Sequence, residues 1–240
     1  MSPTSERCRI LAVGAHPDDI EFACGGILLV EAARGSELFF CVCSRGESGT
    51  NGTPDEREAE ARQAAALFPA QLDFCDLGGD AHIAASIKNA LEIARRIRIV
   101  RPDILLGPVT SPNQHPDHAI VGHLCRDAAR LARYGGISEL RDLQLYSLKH
   151  CFGYAVTPAA EPARDQASVR LDISAHFERW IEVMKCHRTQ LRTRDYIELQ
   201  TARARLLGVE AGVQYAQALF ATDHFLVKSL TDLPPSIRLL

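Results

Sequence analysis

The sequence predicts an α/β fold of the Rossmann-like, doubly wound kind, with a mostly parallel sheet and helices on both faces. Three observations lead there. Short apolar runs alternate with longer segments of helical period, several helical segments carry recognisable start or stop residues, and two near-identical polar motifs follow the first and fourth runs. Alternation of this kind builds right-handed βαβ units, and so a parallel sheet in the order 3-2-1-4-5.

Ile10–Val13 is the first compact apolar run. A turn at His16–Asp19 leads into a helix over Phe22–Arg34, which Gly35 stops. Leu38–Cys43 is the second strand, followed by a Gly/Ser-rich loop from Gly46 to Thr53. Thr53-Pro54-Asp55-Glu56 has capping-box spacing with proline at the first helical position, which predicts a helix to about Leu67. Leu72–Cys75 is the third strand, Ile83–Val100 a helix ended by Pro102, and Ile104–Leu106 the fourth strand. A helix over Asp117–Tyr134 closes the first half. In the second half, Leu143–Leu148 and Val169–Ile173 read as strands and Ala175–Gln190 as a helix. Tyr196–Leu219 reads as a helix interrupted near Gly208 or Gly212, and Phe225–Val227 as a last strand; Arg164-Asp165-Gln166 reads as an exposed loop.

The 240 residues suit one domain, 1–240, with a βαβ core over 1–135 and further elements of the same domain over 136–240. A formal net charge of −3 argues against a general nucleic-acid binder, and no apolar run reaches membrane-spanning length. The polar start runs straight into a strand, unlike a signal peptide, and the eight cysteines form no CxxC pair. They read as reduced thiols of a cytoplasmic protein.

The chemistry lies in two turns. Ala15-His16-Pro17-Asp18-Asp19-Ile20-Glu21 ends the first strand, and His115-Pro116-Asp117-His118 follows the fourth. Strands one and four are neighbours at the switch point of a doubly wound sheet, where ligands bind beyond the carboxyl ends. The two turns therefore face each other. His16 and Asp19 suit zinc, which takes imidazole nitrogen and carboxylate oxygen, and a second histidine completes a three-ligand set with one position open, as catalysis requires. His115 and His118 are both candidates for that third place. Asp18, between the first two ligands, is free to act on water. Asp117 reads equally as a helix N-cap or as the group that orients His115.

On these motifs the chain resembles the PIG-L/LmbE-like deacetylases, zinc enzymes acting on N-acetylglucosaminyl conjugates. Gly46-Glu47-Ser48-Gly49, Gly52-Thr53-Pro54-Asp55-Glu56-Arg57 and Asp172-Ile173-Ser174 also match. The resemblance implies a Rossmann-like fold and removal of an N-acetyl group from a small-molecule amino-sugar conjugate. It implies His16, Asp19 and His118 as metal ligands, Zn2+ or another divalent ion such as Fe2+ as cofactor, and Asp18 as general base. It further implies His115 as electrophile or acid held by Asp117, Arg57 as a substrate-orienting cation, and a trimeric or hexameric homo-oligomer. Gln217 stands where relatives often have an acidic residue. An amidase acting on a non-sugar acylated amine or thiol conjugate is the alternative.

Other signals read structurally. Arg57 in a helix's first turn is otherwise a solvated surface cation placed against the dipole. Glu21 is a candidate partner for a ligand histidine. Gly25-Gly26 lacks the G-x-G-x-x-G spacing of a dinucleotide loop, and Gly46–Gly49 lacks the G-x-S-x-G elbow of a serine hydrolase. Cys41 and Cys43 read as core thiols, and Trp180 with Met184 as helix core.

Overall fold

A computed structural model describes residues 7–162 and 168–237. The loop expected at Arg164-Asp165-Gln166 lies outside the described residues. Strand β1 (Arg9–Gly14) is apolar on both faces and almost wholly buried, as a central parallel strand with helices above and below must be. It lies between β2 (Glu37–Val42) and β4 (Ile104–Pro108), with β3 (Gln71–Phe74) outside β2 and β5 (His150–Tyr154) outside β4, all parallel. Two further strands, β6 (Ser168–Asp172) and β7 (Ala216–Ala221), give the order β3-β2-β1-β4-β5-β7-β6. Both β5–β7 and β6–β7 pair antiparallel. The first five strands thus take the expected order, and the sheet is mixed only at one side.

The helices that connect these strands start where their caps dictate. Helix α1 (Asp19–Ala33) follows β1 after a four-residue turn and starts three residues earlier than its apolar period suggests. In α2 (Pro54–Ala66) the Thr53 hydroxyl accepts from the Glu56 amide at 3.2 Å, and the Glu56 carboxylate accepts from the Thr53 amide at 2.7 Å. Helix α3 (Ile87–Val100) begins at the Ser86 cap rather than at Ile83, and Arg101 ends it in the left-handed conformation ahead of Pro102. Helix α4 (Pro116–Leu131) leaves the second histidine motif. One apolar core gathers α1, Phe40, Phe68 and Trp180 on one face of the sheet, and another gathers α3 and α4 on the other.

The second half departs from its sequence pattern in four places. Leu143–Leu148 pairs with no strand among the described residues; the buried Arg98 guanidinium donates to the carbonyls of Ala132, Tyr134, Leu140 and Leu143, and the Tyr146 amide donates to the Ala132 carbonyl. The strand lies later, at β5, where His150 and Gly153 mask the apolar pattern. The helix expected over Ala175–Gln190 is only α5 (Phe177–Met184), after a 3₁₀ turn at Ser174–His176. Helix α6 (Tyr196–Ala211) stops at Gly212, which takes φ 73°, and the alanine-rich stretch after it is β7 instead of more helix. Phe225–Val227 forms no ladder and is exposed. No helix among the described residues is long and apolar enough to cross a membrane.

Gly25 and Gly26 are packing residues. A Cβ on Gly25 would sit 2.9 Å from the Trp180 ring, and one on Gly26 2.7 Å from Ile173. The Gln217 amide fills the same contact: its oxygen accepts from the Ile27 amide at 3.0 Å and its nitrogen donates to the Ala23 carbonyl at 3.3 Å. Gln217 therefore ties β7 to α1 as donor and acceptor at once, a pair of roles an ionised carboxylate cannot play.

Candidate metal centre and its cavity

Asp19 builds the first turn and half of the site. Its Oδ2 accepts from the amides of Ala15 (2.9 Å) and His16 (3.0 Å), which closes the chain after β1. Its Oδ1 faces His118 Nε2 at 3.0 Å. His118 stands one turn into α4, and its Nε2 lies 3.2 Å from His16 Nδ1. Donors about 2.0–2.2 Å from a tetrahedral ion stand about 3.3 Å apart, so these separations match three ligands around one cation. All three residues are buried. His115 is not part of this trio.

The surroundings also call for positive charge. His16 Nε2, turned away from the trio, meets Asp80 Oδ1 at 3.0 Å and Asp117 Oδ2 at 3.2 Å. Burial pulls the His16 pKa down, but the bonds to Asp117, Asp19 and Asp80 outweigh it and push it up to about 12. Burial likewise opposes ionisation of Asp19, and His118 with His16 holds its carboxyl well below the usual range. Two carboxylates on Nε2, with Asp19 beside Nδ1 at 3.7 Å, favour a cation at Nδ1. The donor set therefore fits a divalent metal, with Asp80 and Asp117 fixing the ring that holds it. His118 Nδ1 is buried without a hydrogen-bond partner.

Asp117 corrects its sequence reading in both senses. His115 is the helix cap, its Nδ1 accepting from the Asp117 amide at 3.3 Å. The Asp117 carboxylate stands 4.0 Å from His115, while it bonds His16 and accepts from the Ala81 amide at 2.7 Å. It orients His16, not His115. Because His115 Nδ1 accepts, neutral His115 carries its proton on Nε2. Burial, with His16 and His118 adding to it, lowers the His115 pKa and favours that neutral form.

Asp18 sits at the start of α1 with φ 130°, a conformation that costs a non-glycine residue about 1–3 kcal/mol. The turn holds its carboxylate at the rim of the centre. Burial pushes the Asp18 pKa up to about 6, against the pull of Arg57 and with the repulsion of Asp19.

Arg57 is not a solvated cation but is 4% exposed. It donates to the carbonyls of Gly46 (3.1 Å) and Pro17 (3.2 Å) and stands 3.5 Å from Asp18 and 3.9 Å from Asp80. Those carboxylates offset the unfavourable helix dipole. Gly46 has φ 73°, and any side chain there would collide with the guanidinium. Glu21 faces His187 at 3.6 Å, so it buttresses α1 against the second half and partners no ligand histidine.

A cavity of about 430 Å³ opens onto the centre. Asp18, His115 and Arg57 line it together with Phe22, Val156, Thr157, Gln190, Tyr196 and Gln200. The second half thus supplies five lining residues, Val156, Thr157, Gln190, Tyr196 and Gln200, which the sequence left unread. Asp80 was missed as well. It follows Gly78-Gly79 beyond β3, at the carboxyl edge of the sheet, and that position is the signal that points to it. The Glu47 carboxylate accepts its amide at 2.9 Å, which gives the Gly46–Gly49 loop a structural task.

Comparison with known proteins agrees with this geometry. The chain is 45% identical to YaiS, an uncharacterized deacetylase of Escherichia coli, over 80 residues, 32% of this chain and 43% of that protein. It is 27% identical to the 4-oxalmesaconate hydratase of Pseudomonas putida over 138 residues, 52% of this chain and 53% of that one. The matches thus span about half the length of these curated relatives. The crystal structure of the conserved protein TT1542 of Thermus thermophilus superposes with a TM-score of 0.79 at 28% identity, covering 91% of this chain and 96% of that one. Residues 11–129, which carry every ligand of the centre, match the family model described as PIG-L, GlcNAc-PI de-N-acetylase. The chain belongs to the PIG-L family.

Proposed function

We propose that the protein is a zinc-dependent hydrolase that removes an acetyl group from the nitrogen of an amino-sugar conjugate. The observation that carries this reading is the meeting of His16, Asp19 and His118 beside Asp18 at the mouth of the cavity. The de-N-acetylase family model and the deacetylase relative support it.

When bound, zinc supplies Lewis-acid polarisation of the amide carbonyl and makes water a stronger nucleophile at neutral pH. The chain's own groups do the rest. Asp18 accepts the proton of the attacking water, and Arg57 holds its carboxylate in place. His115 donates its Nε2 proton in a hydrogen bond to the oxygen on which charge develops, an interaction worth about 3–4 kcal/mol in comparable sites. Protonated Asp18 then returns its proton to the departing amine. Phe22 and Tyr196 offer ring faces to the apolar side of a sugar, while Gln190, Gln200 and Thr157 offer hydrogen bonds to hydroxyls.

The hydratase relative favours a second reading, addition of water to an unsaturated carboxylic acid. The cavity argues against it. Among the described residues Arg57 is the sole lysine or arginine lining it, and that arginine already serves two carbonyls and Asp18. Beyond the metal, a substrate with several carboxylates finds no uncommitted lysine or arginine among the described residues of the lining. Acetate release is measured from N-acetylglucosamine, its β-linked dimer, N-acetylated aglycone conjugates and non-sugar acetamides, beside hydration of unsaturated dicarboxylates. Release from the sugars is expected. Turnover confined to the dicarboxylates overturns the proposal.

A further inference from the structure

A second cavity, of about 440 Å³, lies at the opposite end of α4 from the metal centre. Arg126, Arg130 and Arg133 line it, at spacings that bring them to one face of the helix and its exit. Lys149 and His150 enter from the start of β5, and Phe225 from the segment after β7. Twelve residues at 1.5 Å each put Arg130 about 18 Å along the helix from His118.

The charge here runs against the rest of the chain. The molecule carries −3 overall, yet four basic side chains converge on this concavity and Asp223 is the acidic residue among them. Lys149 is engaged by Asp103 at 2.6 Å, and Arg130 stands 4.0 Å from Asp127. Arg126 and Arg133 form no ion pair within 4 Å among the described residues. The helix dipole accounts for a cation in the last turn of α4. It does not account for basic groups arriving at the same cavity from another element.

The cavity also has two aromatic rings in its wall, His150 and Phe225. His150 and Phe225 stand 6.1 Å apart between ring centroids, and Phe152 closes the group at 6.0 Å from His150 and 5.9 Å from Phe225. Phe225 remains 49% exposed, so part of its ring is open to a ligand. Two arginines without carboxylate partners favour a multiply charged oxyanion, because guanidinium groups bind phosphate oxygens in bidentate fashion. Rings beside them favour a planar group attached to that anion.

We propose that this cavity is a second binding site, separate from the metal centre, and that its ligand is a nucleoside phosphate. The phosphates lie against Arg126 and Arg133, and the base lies against Phe225 and His150.

Calorimetric titration of the full-length, metal-loaded protein with ADP, pyrophosphate and adenosine tests this. ADP is expected to saturate one site per chain and to bind at least fivefold tighter than pyrophosphate, with adenosine weaker still. Arg126→Gln/Arg133→Gln should weaken ADP at least tenfold, and the single exposed-site variant Arg130→Gln severalfold, with circular dichroism and Tm unchanged. Phe225→Ala should weaken ADP but not pyrophosphate. Asp19→Asn, which disables the metal centre, should leave ADP binding intact. Absence of saturation by ADP overturns the proposal. So does loss of binding in Asp19→Asn with retention in the arginine variants, which places the anion at the metal, and so does pyrophosphate matching ADP.

Discussion

The two halves of the chain divide the labour of the site unequally. Residues 9–131 form parallel βαβ units, and every proposed metal ligand and proton-handling group comes from the turns at their carboxyl ends. Residues 150–221 add β5 to that parallel set and an antiparallel pair beyond it, and among the described residues they bring no group of the metal centre. They bring walls: Val156, Thr157, Gln190, Tyr196 and Gln200 line the same cavity as His16, Asp19 and His118. They also bring buttresses, where Thr189 bonds Glu60 at 2.6 Å and His187 meets Glu21. The contrast teaches that reaction chemistry and substrate choice are separable here. Changes in the first half should act on metal and rate, and changes in the second on affinity and selectivity.

The sharpest break comes at the proton handler. Asp18→Asn should keep its metal and lose about 10²–10⁴-fold in kcat, because an amide cannot accept the water proton. Near wild-type turnover would remove Asp18 as the base. Next in size, Asp80→Asn should weaken metal binding about 10–100-fold by loosening the His16 ring, measured by competition with a chelator. In the second half, Gln200→Ala should raise KM about tenfold with kcat little changed, the signature of lost binding shared by ground and transition states. A fall in kcat with unchanged KM would erase the proposed division.

The smallest effect concerns the buttress. Burial opposes charge on His187, but Glu21 outweighs it and raises the His187 pKa above its ordinary value. A raised folded-state pKa stabilises fully below the unfolded value, about 6.5, and that stability fades as pH climbs through the folded value. His187→Gln should therefore lower Tm more at pH 6 than at pH 9. An equal loss at both would mean that His187 acts only by packing.

Much of the first half was legible because its signals are local. Apolar runs fix the strands, Thr53 and Glu56 fix a cap, and two His-Pro-Asp turns announce the site. Topology then joined turns about a hundred residues apart. Asp80 escaped because a lone acid after two glycines has no period and no motif, and its meaning comes only from His16 across the sheet. Arg57 looked solvated because sequence shows its helix position but not the carbonyls of Gly46 and Pro17 that enclose it. The second half misled for a different reason. Ala216–Ala221 is strand only because β6 and β5 flank it, and tertiary pairing overrode the helical propensity of alanine. The strand expected at Leu143–Leu148 is a loop beside Arg98, whose four carbonyl partners lie 34 to 45 residues away and leave no mark in the local sequence.

Metal content of the purified protein, measured beside that of His118→Ala, addresses the shared cation directly. One tightly held divalent ion per chain in the parent, and its loss in the variant with the fold intact by circular dichroism, is the expected result. A variant that keeps a full equivalent of metal would contradict the centre drawn from His16, Asp19 and His118.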